Sequence, residues 1–167
     1  MRYNSDLRTT SGRGALDTPS SRTTLKGPVS RNASGTHSRD PEVMALRCFI
    51  VDDSTHFLDA ARTLLERQGL SVVGVASTIE QALRHVADAD PDVVLVDVDL
   101  GDESGFDLAR RFQRETDLDR SRVILISTHA EADVAEVVRN VPAAAFLSKS
   151  DLSASAIRRI LDATLGG

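Results

Sequence analysis

Four short apolar runs end in residues that can do chemistry. FIV (49–51) leads into Asp52 and Asp53, VVLV (93–96) into Asp97, VILI (123–126) into Ser127 and Thr128, and FL (146–147) into Ser148 and Lys149. Brought to one place, these supply three carboxylates, hydroxyls and one ammonium. Three carboxylates at close quarters repel, and at least one tends to bind a proton unless a cation intervenes. A hard divalent cation resolves the conflict, because Mg²⁺ prefers octahedral oxygen coordination and takes carboxylates together with waters and substrate phosphate. Zinc fits less well. It wants His or Cys, and the single Cys48 and the histidines His37, His56, His85 and His129 show no ligand spacing. A metal-held carboxylate facing an ammonium and a hydroxyl is equipped for phosphoryl transfer: the carboxylate attacks in line while the other groups stabilise charge on the equatorial oxygens. The product is an aspartyl phosphate.

Such convergence needs strands whose ends lie side by side. CFIV (48–51), SVVGVA (71–76), VVLV (93–96), VILI (123–126) and AAFL (144–147) are short aliphatic runs of the kind covered on both faces of a parallel sheet. Amphipathic segments separate them. The spacing predicts a helix over 54–68, with Ser54 as N-cap, Gly69 as stop, and Phe57, Leu58, Ala61, Leu64 and Leu65 on one face. A second, over 78–87, opens on Thr78-x-x-Gln81, a capping box. The others are 105–114 around Phe106, Leu108, Ala109 and Phe112, 131–139 around Val134, Val137 and Val138, and 151–165 around Ile157, Ile160, Leu161 and Leu165. Five β-α units in succession call for a doubly wound α/β sandwich with right-handed crossovers. In such sheets ligands gather beyond the carboxyl ends of the strands, where the groups above fall.

Composition narrows the alternatives. The chain has 167 residues with 20 Lys+Arg against 25 Asp+Glu, and aromatics make up 4% with no Trp. That balance disfavours whole-chain nucleic-acid binding, and so few aromatics give poor support to a stacking platform for single strands. No apolar run approaches the ~20 residues of a membrane span, and no signal-peptide core precedes the first strand. A soluble, cytoplasmic protein without direct nucleic-acid or membrane contacts is expected. Residues 1–44 hold thirteen Ser/Thr, four Gly and three Pro with no hydrophobic period, so they are expected to form a disordered Ser/Thr/Arg-rich tail ahead of one domain over 45–167. Seven Lys/Arg against four Asp/Glu make that tail basic, and thirteen against twenty-one make the domain markedly acidic. Met44, immediately before ALRCFIVDD, is an alternative initiator that would leave 1–43 outside the protein.

FIVDD (49–53), PDVVLVDVDLGDESG (91–105), VILIST (123–128) and FLSKS (146–150), in that order and spacing, resemble the receiver domain of bacterial two-component response regulators. The resemblance covers residues 46–165. It implies a flavodoxin-like (βα)5 fold with strand order 2-1-3-4-5, and the following roles. Asp97 is the phospho-acceptor and a direct Mg²⁺ ligand, Asp53 the second carboxylate ligand, and Asp52 a ligand mainly through bound water. The backbone carbonyl of Asp99 completes the protein's share. Ser127 is the switch hydroxyl, Lys149 the ammonium that pairs with the phosphoryl group, and Phe146 the aromatic switch. Asp99 and His129 occupy positions that tune phosphate lifetime, and the two side chains could pair.

The implied donor is the phosphohistidine of a histidine kinase or phosphotransfer protein. The chain would catalyse its own phosphorylation and dephosphorylation without being a conventional turnover enzyme. Only Gly166 and Gly167 follow the last helix, so the expectation is a stand-alone receiver. Its output would pass through the fourth helix, fifth strand and fifth helix to a protein target, or into a phosphorylation-dependent dimer. Two residues depart from the family pattern: Gly101 and Ser150 stand where Pro is usual. They keep open a phosphorylation-independent receiver-like interaction module. FLSKS, found in relatives with a C-terminal helix-turn-helix, keeps open the receiver half of a truncated DNA-binding regulator. A haloacid-dehalogenase-like phosphatase fits Asp97-Val98-Asp99, but its nucleophile belongs on the first strand. For other positions, packing is the expected role: Cys48 in the core, Gly105 at the entry to a helix, His56 and His85 on helix surfaces.

Overall fold

The computed structural model describes residues 44–167. The tail expected over 1–44, with His37, therefore lies outside the described residues except for Met44. Ten elements alternate: β1 (Arg47–Val51), α1 (Thr55–Arg67), β2 (Ser71–Ala76), α2 (Ile79–Ala89), β3 (Val93–Asp97), α3 (Gly105–Glu115), β4 (Val123–Ser127), α4 (Glu131–Val138), β5 (Ala145–Ser148) and α5 (Ala154–Leu165). The five strands form one sheet in the order β2-β1-β3-β4-β5, every pair parallel, which is the doubly wound arrangement expected. A small antiparallel ribbon, Asp99–Leu100 with Glu103–Ser104, follows β3.

Alternation along the strands divides the core in two. Phe49, Val51, Val94, Val96 and Leu125 face α2 and α3, where they meet Ala82, Val86, Leu108 and Phe112. Cys48, Ile50, Leu95, Ile124 and Ile126 face α1 and α5, against Leu58, Leu65, Ile157 and Leu161. Each fully buried aliphatic side chain contributes roughly 1.5–3 kcal/mol, so the three inner strands dominate the stability of the platform. Cys48 packs there as expected, its thiol pushed up to about 12 by burial.

The edges and helix ends differ in detail from the sequence expectations. Strands β2 and β5 lie at the sheet margins and are largely half-buried rather than covered on both faces. Leu64, Val137 and Leu165 face solvent, because the apolar stripe of each helix is narrower than its apolar composition. Ser54 and Gly69 end α1 as expected, the hydroxyl accepting from the Phe57 N–H at 3.2 Å and the glycine adopting φ +88°. At α2, Thr78 Oγ1 accepts from the Gln81 N–H, but the reciprocal arm is displaced by one residue: Gln81 Oε1 accepts from Ser77 N–H at 3.0 Å. The N–H of Ile79, the first residue of α2, donates to Glu103 Oε2 at 3.1 Å, which ties the ribbon to α2. Helix α5 begins at Ala154 rather than 151, since Lys149–Asp151 form a single 3₁₀ turn and Ser153 supplies the cap. Helix α4 has no side-chain cap, and none of its described side chains is buried.

Candidate functional site

The carboxyl ends of β1 and β3 set the acidic groups side by side. Asp52 follows β1; its N–H donates to Ala76 O at 3.0 Å, and its Oδ1 accepts from the Ser54 N–H at 2.9 Å. The residue that caps α1 thus also holds the first carboxylate. Asp97 is the last residue of the central strand, and the chain behind it turns back tightly enough that a Cβ on Gly105 would lie 1.9 Å from the Asp97 carbonyl oxygen. Only glycine can enter α3 at that point. Gly105 therefore serves the backbone geometry at Asp97 as well as the helix entry. One carboxylate oxygen from each of Asp52, Asp53 and Asp97 lies within 4.8 Å of the others.

Lys149 reaches this cluster from the end of β5. Its Nζ stands 2.6 Å from Asp52 Oδ2 and 3.2 Å from Asp97 Oδ2, and 4.2 Å from the centre of the Phe57 ring. Asp52 is fully buried and Asp97 nearly so. Burial, followed by the neighbouring Asp52 charge, pushes the Asp97 carboxyl up to about 6, against the opposing pull of Lys149 and the Asp99 N–H. Burial also works against the Lys149 charge, but Asp52 and Asp97 outweigh it and hold the ammonium above its ordinary value. Three carboxylates facing one ammonium leave two negative charges uncompensated. The donors are all oxygens, the buried Asp52 Oδ2 has no aligned hydrogen-bond donor, and Asp53 opens to solvent. This set suits a hard divalent cation rather than zinc.

Ser127 ends β4, opposite Ser148 in the register and beside the strand that delivers Lys149. It is fully buried. Its Oγ accepts from the His129 N–H at 3.0 Å and lies 3.2 Å from His129 Nδ1, so in this state the hydroxyl is engaged with its own loop. His129 Nδ1 is also 3.6 Å from Asp99 Oδ2, the pairing anticipated from their positions. Asp99 opens the ribbon, and its N–H approaches Asp97 Oδ1 at 3.4 Å. Phe146 lies opposite Leu125 on β5, half-buried against the α2–α3 side of the core. The departures from Pro are local: Gly101 adopts φ +67° beside Asp53, and no cis peptide occurs among the described residues, Lys149-Ser150 included.

The structure thus gathers Asp52, Asp53, Asp97 and Lys149, places Ser127 one strand away, and leaves Phe146 as a flanking core residue. Sequence reasoning gave Ser54, Phe57, Glu103 and Gly105 no role at the site. Ser54 and Gly105 carried a signal, as the cap and the glycine adjoining the acidic motifs; Phe57 and Glu103 act across elements and carried none.

The profile of the response regulator receiver domain matches residues 48–161. Among curated proteins, the chain is 39% identical over 70 residues to the sensory transduction protein LytT of Bacillus subtilis (strain 168), covering 41% of this chain and 29% of that protein. It is 30% identical over 118 residues to the uncharacterized transcriptional regulatory protein YvfU of the same organism, covering 68% of this chain and 58% of that protein. The chain therefore spans only part of the length of these relatives. Among solved structures, it is similar to the CheY-like response regulator receiver domain protein from Methanospirillum hungatei JF-1, at 25% identity and TM-score 0.61, covering 73% of this chain and 98% of the other. It is also similar to the signal receiver domain of a modulated diguanylate cyclase from Desulfovibrio desulfuricans G20, at 26% identity and TM-score 0.59, covering 73% and 94%.

Proposed function

The chain belongs to the response regulator receiver domain family, which makes it a module of phosphorylation-controlled signalling, and from that premise we propose that Asp97 is the residue that takes the phosphoryl group. The observation that carries this reading is the convergence of Asp52, Asp53 and Asp97 within 4.8 Å, with the Lys149 ammonium 3.2 Å from Asp97. The donor is the phosphohistidine of a histidine kinase or phosphotransfer protein. A carboxylate oxygen of Asp97 attacks phosphorus in line, the O–P bond forms as the P–N bond breaks, and the imidazole nitrogen keeps the electron pair. Attack requires the ionised acid, so with no cation bound Asp97 is competent mainly above pH 6, the region of its shifted titration.

Asp52, Asp53, Asp97 and the Asp99 carbonyl would hold Mg²⁺, which when bound supplies positive charge against the phosphoryl oxygens. Lys149, already between Asp52 and Asp97, pairs with a phosphoryl oxygen once Asp97 is modified. Ser127 leaves His129 to donate to another oxygen, and Phe146 moves with it. Phosphorylation adds roughly 1.5–2 negative charges at this end of the sheet and biases an existing equilibrium. The readout is the face of α4, β5 and α5, where α4 has no side-chain cap and none of its described side chains is buried. Its target is a downstream protein or a second phosphorylated copy. Among the described residues no helix is long and apolar enough to cross a membrane, in keeping with action in the cytoplasm.

The test is labelling with phosphoramidate and Mg²⁺. The expected result is one acid-stable, base-labile phosphoryl group, absent from Asp97→Asn. Full labelling of that variant at another residue overturns the assignment. Mg²⁺-dependent binding of a phosphate mimic, lost in Asp53→Ala, separates this reading from a phosphorylation-independent module.

A further inference from the structure

Lys149 has a four-carbon stem and arrives from a 3₁₀ turn at the margin of the sheet, so its ammonium needs more than its own backbone to stay over the carboxylates. Two carboxylate oxygens, Asp52 Oδ2 at 2.6 Å and Asp97 Oδ2 at 3.2 Å, occupy one side of Nζ. On another the Phe57 ring presents its face, 4.2 Å from Nζ to the centroid. That separation lies inside the ~6 Å range over which a ring quadrupole attracts an ammonium, and the attraction grows where water is excluded. The Lys149 side chain is only 14% exposed.

The ring is itself placed by the site. Asp52 Oδ1 accepts from the Ser54 N–H, Ser54 Oγ accepts from the Phe57 N–H at 3.2 Å, and Lys149 Nζ returns to Asp52 Oδ2. This closed circuit of Asp52, Ser54, Phe57 and Lys149 joins the first turn of α1 to the end of β5. Phe57 is half-buried and also packs on the α1–α5 side of the core, which fixes the ring from behind.

We infer that Phe57 is a positioning residue for Lys149, its aromatic face holding the ammonium over Asp52 and Asp97 ready for the phosphoryl group. The inference rests on the proposed phosphorylation at Asp97 for its consequence, but not for the contact itself. A leucine at 57 fills similar space and offers no quadrupole; a tyrosine keeps the face. The ring therefore matters through its electrons as well as its volume.

Two measurements test it. The chain holds two lysines, Lys26 and Lys149, so the ε-CH₂ resonances can be assigned directly by NMR. In the wild-type protein and in Phe57→Tyr the Lys149 ε-protons are expected upfield, within the ring current, and in Phe57→Leu at the ordinary lysine position. With phosphoramidate and saturating Mg²⁺, the maximal labelling rate is expected to fall on the order of tenfold in Phe57→Leu and to stay within about twofold in Phe57→Tyr. Unshifted ε-protons in the wild type overturn the contact, and that spectrum decides even if Phe57→Leu does not fold. A folded Phe57→Leu that labels at the wild-type rate overturns the positioning role. Failure of the Asp97 assignment would show instead as labelling of Asp97→Asn, with the NMR result unaffected.

Discussion

Lys149 stands closer to Asp52 than to Asp97: its Nζ is 2.6 Å from Asp52 Oδ2 and 3.2 Å from Asp97 Oδ2. In this state the ammonium is thus chiefly the counter-ion of a fully buried carboxylate that has no aligned hydrogen-bond donor on that oxygen. Removing one partner of a buried pair leaves an uncompensated charge, typically at a cost of about 3–5 kcal/mol. Lys149→Met is expected to lose roughly 2–4 kcal/mol at pH 8, the lower bound reflecting the opening toward Asp53 through which water and cations enter. Millimolar Mg²⁺ should recover part of the loss. Urea denaturation with and without Mg²⁺ measures both, and a variant as stable as the wild type would show the ammonium contributes nothing to the resting fold.

Asp97 gives the opposite sign. Its carboxyl titrates near 6 in the folded protein against an ordinary value of 3.8, so the native state binds this proton more tightly than the unfolded chain. Its stabilising contribution is complete below about pH 4 and is lost as pH rises through 6. Asp97→Asn removes the ionisation and is expected to be more stable than the wild type at pH 7–8 by about 1–3 kcal/mol, the difference shrinking toward zero near pH 4. Thermal melts across that window test the sign. A variant that is less stable at pH 8 would mean that Lys149 favours the charged form more than burial and Asp52 oppose it.

The two glycines beside the acidic groups should behave differently. A Cβ on Gly105 would meet the Asp97 carbonyl oxygen at 1.9 Å and its carbon at 2.8 Å, both backbone atoms that cannot move without displacing Asp97. Gly105→Ala should cost at least ~3 kcal/mol or abolish folding, more than ordinary overpacking. Gly101→Ala has only Asp53 Oδ2 at 3.5 Å to meet and pays mainly for its φ of +67°, about 1 kcal/mol. Equal losses in denaturant melts would contradict the close approach at 105.

The contrast between those glycines shows what was legible beforehand. The fold could be read because its three inner strands are continuous aliphatic runs and two of its helices open on the local caps Ser54 and Thr78. The four charged groups of the site were visible because each lies at the end of a short apolar run, Asp52 and Asp53 after β1, Asp97 at the end of β3 and Lys149 after the marginal β5. Gly105 looked like a helix entrance because the carbonyl it must clear belongs to a residue eight positions earlier. Phe57 looked like core because helical spacing says which face a ring occupies, not what approaches that face from another strand. The start of α5 was misplaced for a related reason: Asp151 and Leu152 fit a helical period, but Ser153 provides the cap, and Gln68 Oε1, from the end of α1, accepts from the Ala154 N–H at 2.7 Å.

Ser127 presents the last testable feature. Its hydroxyl oxygen accepts the His129 N–H at 3.0 Å and sits 3.2 Å from His129 Nδ1, so when that nitrogen is unprotonated the hydroxyl proton is directed at the imidazole. A phosphoryl group on Asp97 would have to draw the same proton away. Removing the imidazole leaves the backbone contact in place and frees the hydroxyl, and the bond given up is a single exposed-side interaction, since the His129 side chain is 60% exposed. A net hydrogen bond of this type contributes about 0.5–1 kcal/mol, so His129→Ala should bind a beryllofluoride mimic of the phosphoryl group roughly two- to fivefold more tightly in Mg²⁺. Titration followed by NMR of the Ser127 and Asp97 amides would measure it. Unchanged or weaker binding would mean that the hydroxyl is already free to turn, and that His129 acts on the site only through Asp99, 3.6 Å away.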